Sequence, residues 1–123
     1  MDNHVDRFFA AVAALAAHGH IKQRLISAYE ENLSYIEIDE LPVTIRQSFA
    51  DLRTLMHSVE PLNGEGPICA SVRKMSVIEA DACARQLVDL YGEMIRVSED
   101  TQEVLPLQLE ERAAVPPFLI KSG

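Results

Sequence analysis

Apolar side chains recur at three- and four-residue spacing from the start of the chain. Val5, Phe8, Phe9, Val12, Leu15 and Ala16 fall on this repeat with alanine filling most positions between, a pattern that predicts an α-helix. Gly19 closes that element. A second stripe follows at once, with Ile21, Leu25, Tyr29, Leu33 and Ile36 on one face and Lys22, Gln23, Glu30 and Glu31 on the other. The connection His18-Gly19-His20 is so short that the two helices are expected to fold back on each other as an antiparallel hairpin.

Residues Glu37 to Leu41 break the period with acidic side chains, and Pro42 suits the first turn of a third helix, where its missing amide proton is not needed. Ile45, Phe49, Leu52, Leu55 and Met56 form the stripe of that helix. Val59-Glu60-Pro61 ends it, and the run LNGEGP from Leu62 to Pro67 is a loop, rich in residues that tolerate turn geometry. Residues 68–75 read as a short helix, with an extended alternative left open by their small and β-branched side chains. Ser76-Val77-Ile78-Glu79 has the form of a capping box, in which a serine hydroxyl and a glutamate carboxylate each accept a backbone amide at a helix start.

From Val77 to about Val97 the chain is apolar on more than one face, through Ala80, Cys83, Ala84, Leu87, Val88, Leu90, Tyr91, Met94 and Ile95. Such a helix has to be covered on both sides, as the centre of a bundle or as part of a dimer interface. Beyond Ser98 the character changes. Pro106, Pro116 and Pro117 argue against one long helix, and Leu105, Leu107 and Leu109 alternate as in an extended segment. The expected fold is all-α: a compact bundle of four to five helices over residues 1–98, and a proline-interrupted extended C-terminal tail, 99–123, first acidic and then apolar. Phe118, Leu119 and Ile120 give that tail a need for a docking surface on the bundle or on a partner.

A chain of 123 residues is long enough for one core without disulfides or metal. Nineteen acidic against eleven basic side chains leave a net charge of −8. That sign disfavours nucleic acid and anionic membranes and favours a basic protein partner. The apolar run Phe8–Ala17 follows a flank with Asp2 and Asp6 against a single Arg7, the wrong charge for a secretory signal, and is too short to span a bilayer. With only Cys69 and Cys83, both among small or apolar neighbours, free thiols and a cytoplasmic location are expected.

Candidate chemistry changes the picture little. His4, His18, His20 and His57 match no metal-ligand spacing, and neither paired Glu-x-x-His motifs nor HExxH is present, so no metal or cofactor is expected. No serine sits in a GxSxG elbow, and the glycines of LNGEGP form neither a phosphate loop nor a dinucleotide motif. Thr44, Arg46, Gln47 and Arg53 on the third helix loosely resemble a recognition face, without a helix-turn-helix turn or a second strong basic patch. Glu30, Glu31, Glu37, Asp39 and Glu40 form an acidic cluster whose simplest reading is a solvated face.

The resulting expectation is a non-enzymatic protein–protein interaction or regulatory protein that forms homodimers, with Leu87, Leu90, Tyr91, Met94, Phe118, Leu119 and Ile120 as contacts. The competing reading places those same side chains in the intramolecular core. Two alternatives stand beside it: an acidic inhibitor or nucleic-acid mimic that uses the acidic cluster, and a small enzyme with a site assembled from scattered carboxylates and His57 or Cys69.

Overall fold

The computed structural model describes residues 4–110, with side chains through 99. Five α-helices and one 3-10 turn follow in order: α1 His4–Leu15, α2 Ile21–Asn32, the turn Ile38–Glu40, α3 Val43–Met56, α4 Pro67–Lys74 and α5 Val77–Glu110. No strand occurs among the described residues. The all-α bundle expected from the hydrophobic period is the observed architecture. The tail contacts expected at Phe118, Leu119 and Ile120 lie outside the described residues.

α1 and α2 form the antiparallel hairpin. Gly19 sits between them at φ +107°, a backbone region that side chains with a Cβ rarely adopt. Arg24 fixes the turn by donating from Nη1 to the Leu15 carbonyl at 2.6 Å and from Nε to the Gly19 carbonyl at 2.8 Å. The Leu15 carbonyl would otherwise be orphaned at the end of α1. Pro42 precedes α3 rather than occupying its first turn: its backbone is extended, and its carbonyl accepts the Ile45 amide at 3.0 Å.

The loop before α4 contains a tight turn in which the Glu65 amide donates to the Leu62 carbonyl at 3.1 Å. Asn63 at φ +55° and Gly64 at φ +82° make both central residues left-handed, the geometry for which Asn-Gly is the preferred pair. Pro67 then opens α4 at its first position, which settles the ambiguity of residues 68–75 in favour of a helix. The capping box at α5 is present in full: the Glu79 amide donates to Ser76 Oγ at 3.0 Å, and the Ser76 amide donates to Glu79 Oε1 at 2.8 Å.

α5 is the central helix, packed against α1, α2 and α3. Its apolar breadth is absorbed by covering it from several sides: Ala80, Cys83, Ala84, Leu87, Leu90 and Met94 are buried together with Phe8, Leu25, Tyr29, Phe49 and Leu52. The Phe8 and Phe49 rings meet edge to face at 6.0 Å between centroids.

Three expectations need correction. Phe9 is 57% exposed and Leu55 is 45% exposed. Each is adjacent to a residue, Phe8 or Met56, that takes the core position, and neighbours in a helix point about 100° apart. The third concerns the tail. α5 does not end near Val97 but continues through Ser98 and Pro106 to Glu110. Proline at 106 cannot donate to the carbonyl of Gln102, yet the missing bond falls in the last turns of a helix of 34 residues, where the lost amide is tolerated.

A candidate docking cleft where three helix ends meet

The C-terminal ends of α3 and α4 converge on the first three turns of α5. α3 stops at Met56, and the following connection is tied down by two bonds: Ser58 Oγ donates to the Leu55 carbonyl at 3.0 Å, and the Val59 amide donates to Ser71 Oγ on α4 at 3.0 Å. Ser71 is the buried polar side chain of the core, 1% exposed, and this amide is its partner. α4 ends where Met75 turns extended, its amide donating to the Val72 carbonyl at 3.0 Å.

Between these three ends lies a cleft of about 330 Å³. Its apolar lining comes from buried Cys83, half-buried Val59 and Met75, and exposed Leu55 and Ala82. The polar side chains around it are mostly occupied: Glu79 holds the helix cap, Gln86 Nε2 donates to the Ser48 carbonyl at 3.1 Å, and Ser58 and Ser71 are engaged as above. Lys74 makes no hydrogen bond or ion pair among the described residues and stands at the rim, in the last turn of α4, where a cation suits the helix dipole. Ile78, one turn before Ala82 on the same face of α5, lies outside the lining and is 81% exposed.

Chemically, this arrangement offers apolar side chains and one cation, Lys74. Burial, with a smaller contribution from the Glu79 charge, pushes the Cys83 thiol above its ordinary pKa, which keeps it protonated and unreactive. At the start of α5 the capping box takes the Ser76 and Glu79 amides.

The contacts expected from the sequence lie elsewhere. Leu87, Leu90 and Met94 are buried in the chain's own core, which excludes them as a contact face in this structure and follows the competing intramolecular reading. Tyr91 is half-buried, and its ring lies 6.0 Å from that of Phe9. The acidic residues are all exposed but do not form one cluster. Glu37, Asp39 and Glu40 gather on and before the 3-10 turn, whereas Glu30 and Glu31 end α2. Arg46 and Arg53 are threaded into the first group, donating to the carbonyls of Leu41, Asp39 and Ile36, and His4 Nε2 lies 3.1 Å from Glu40 Oε1. This also removes Arg46 and Arg53 from any recognition face on α3.

His57 and Cys69 are not joined. The His57 ring stands edge-on to Tyr29, with Nε2 3.3 Å from the phenol oxygen, and burial and then the Arg53 charge lower its pKa. Burial raises the pKa of Tyr29, against a smaller opposing effect of Arg53. Cys69 is half-buried on α4 with no hydrogen bond to a histidine or carboxylate among the described residues. Among those residues no three histidine, cysteine or acidic side chains gather as metal ligands, and no helix is long and apolar enough to cross a membrane.

The cleft was missed by sequence reasoning because residues 55–59, 71–75 and 79–86 meet only in the folded chain. Its one local signal is the doubled apolar pair Leu55-Met56, of which a single helix face can bury one. No protein-family model, curated protein or solved structure matches the chain.

Proposed function

We propose that this chain is a non-enzymatic protein-interaction module, and that the cleft between α3, α4 and α5 takes apolar side chains from a protein partner, first of all a second copy. The observation that carries this reading is the set of exposed apolar side chains at the cleft, Leu55 and Ala82 in its lining and Ile78 one helical turn before Ala82. A small-molecule site encloses most of its ligand, whereas surface that spills over the rim fits an occupant larger than the cavity. Exposed apolar patches edged by polar groups are the usual mark of such contacts. The acidic cluster supports partner recognition less well, because Arg46 and Arg53 are interleaved with it.

The test is the concentration dependence of solution mass by light scattering for the full chain, Leu55→Asp, Ile78→Asp and, as a control, Glu31→Gln. Both aspartate variants replace exposed side chains on the folded surface, so circular dichroism should stay native. Association should weaken at least about tenfold in each, the scale of placing an uncompensated charge in an apolar contact. Equal masses for all four chains would remove the cleft from any self-association.

A further inference from the structure

We propose that the cleft takes side chains from residues 115–120 of a second copy, Val115-Pro116-Pro117-Phe118-Leu119-Ile120, so that two chains clasp each other through their C-terminal segments. This rests on the reading of the cleft as a protein-docking site and names its occupant.

Reach decides between the chain's own segment and that of a neighbour. The cleft lies at the N-terminal end of α5, around Ala82, and the helix carries the chain away from it as far as Glu110. At 1.5 Å per residue that is about 42 Å of helix between Ala82 and Glu110. Phe118 follows Glu110 by only eight residues, which extend at most about 29 Å. Within one chain Phe118 therefore falls about 13 Å short of Ala82 even if the segment runs straight back along α5. Ile120 extends at most about 36 Å from Glu110, which brings it only to the near edge of the cleft at Gln86, and the reversal of direction that this needs uses further residues. In a second copy no such tether applies.

The chemistry of the segment suits the cleft. Phe118, Leu119 and Ile120 are consecutive apolar side chains that need cover. Pro116 and Pro117 lack amide protons, so burying them leaves two fewer donors to satisfy in a cleft where Ser58, Ser71, Glu79 and Gln86 already have partners. Prolines also restrict the free segment, which lowers the entropy lost on docking. A volume of about 330 Å³ is at the small end for ligand cavities, the scale of an anchoring side chain and its neighbour.

The experiment is complementation between full-length chains. Phe118→Asp and Ile78→Asp are each expected to sediment as monomers where the unmodified chain is a dimer. An equimolar mixture, one chain isotopically labelled, should give heterodimers by native mass spectrometry, because one intact segment meets one intact cleft. If Phe118→Asp dimerises as well as the unmodified chain while Ile78→Asp does not, the docking reading stands and the occupant proposed here is wrong. Failure of the mixture to form heterodimers when both variants are folded monomers also overturns the clasp. An unmodified chain that stays monomeric up to millimolar concentration overturns the clasp and removes self-association from the docking reading.

Discussion

Replacing Ser71 by alanine should loosen the cleft and the fold together. Ser71 Oγ is the acceptor for the Val59 amide at 3.0 Å, and the serine is 1% exposed. Alanine fits the site and keeps α4 intact, but it leaves the Val59 N–H partly buried without a partner. Removing one member of such a pair costs about 1 to 2 kcal/mol, mostly desolvation of the orphaned group. For a domain of this size that corresponds to a fall in Tm of about 4 to 8 °C, provided unfolding is two-state. Ser58→Ala, which removes a bond at an exposed site, should cost less than about 0.5 kcal/mol and serves as the control. Native-state amide exchange gives the local readout: protection of Val59 should drop in Ser71→Ala and stay unchanged in Ser58→Ala. A Ser71→Ala chain with unaltered Tm and unaltered Val59 protection would show that this bond does not hold the connection after α3.

Other outcomes follow from the same contacts. Ser76→Ala should lower stability by about 1 kcal/mol by removing the cap, and combining it with Glu79→Ala should cost less than the sum of the two, as urea denaturation of the double-mutant cycle would reveal. Because burial and Arg53 depress the pKa of His57, the unfolded chain binds more protons just below the ordinary value of 6.5; stability should be full above 6.5 and fall as pH drops through that window, and His57→Gln should flatten this part of the profile. Raised pKa values at Cys83 and Tyr29 act at the other end, with stability intact below the ordinary 9.0 and 10.0 and lost as pH climbs above them; urea midpoints across pH check both slopes. Pro106→Ala restores an amide donor to the Gln102 carbonyl and should slow amide exchange in the last turns of α5, by up to about 3 kcal/mol of local stability; unchanged exchange would contradict the continuous helix.

The elements that could be read from the sequence are those whose cause is local. The α1–α2 hairpin follows from two amphipathic stripes and a short glycine connection, the α5 cap from Ser76 and Glu79 three residues apart, and the loop turn from Asn63-Gly64. The length of α5 was hidden for the opposite reason, since Pro106 is a local stop signal that a long helix overrides near its end. Choices between adjacent apolar residues, Phe8 against Phe9 and Met56 against Leu55, depend on how each helix is rotated in the bundle. Arg46 and Arg53 look like free surface cations in sequence, yet their acceptors lie five to seventeen residues away on the preceding segment. Leu87, Leu90 and Met94 show the same limit: the apolar excess of α5 was legible, but whether it faced this chain or another was decided by three helices packing around it.

The most direct test of the cleft as a docking surface is a methyl spectrum of the full chain, labelled at leucine, isoleucine and methionine, recorded while unlabelled chain is titrated in. Leu55, Met75 and Ile78 should shift or broaden with concentration, while the core methyls of Leu87, Leu90 and Met94 stay where they are. Changes confined to methyls outside the cleft, such as Ile95 one helical turn after Tyr91, would contradict the assignment of docking to the ends of α3 and α4.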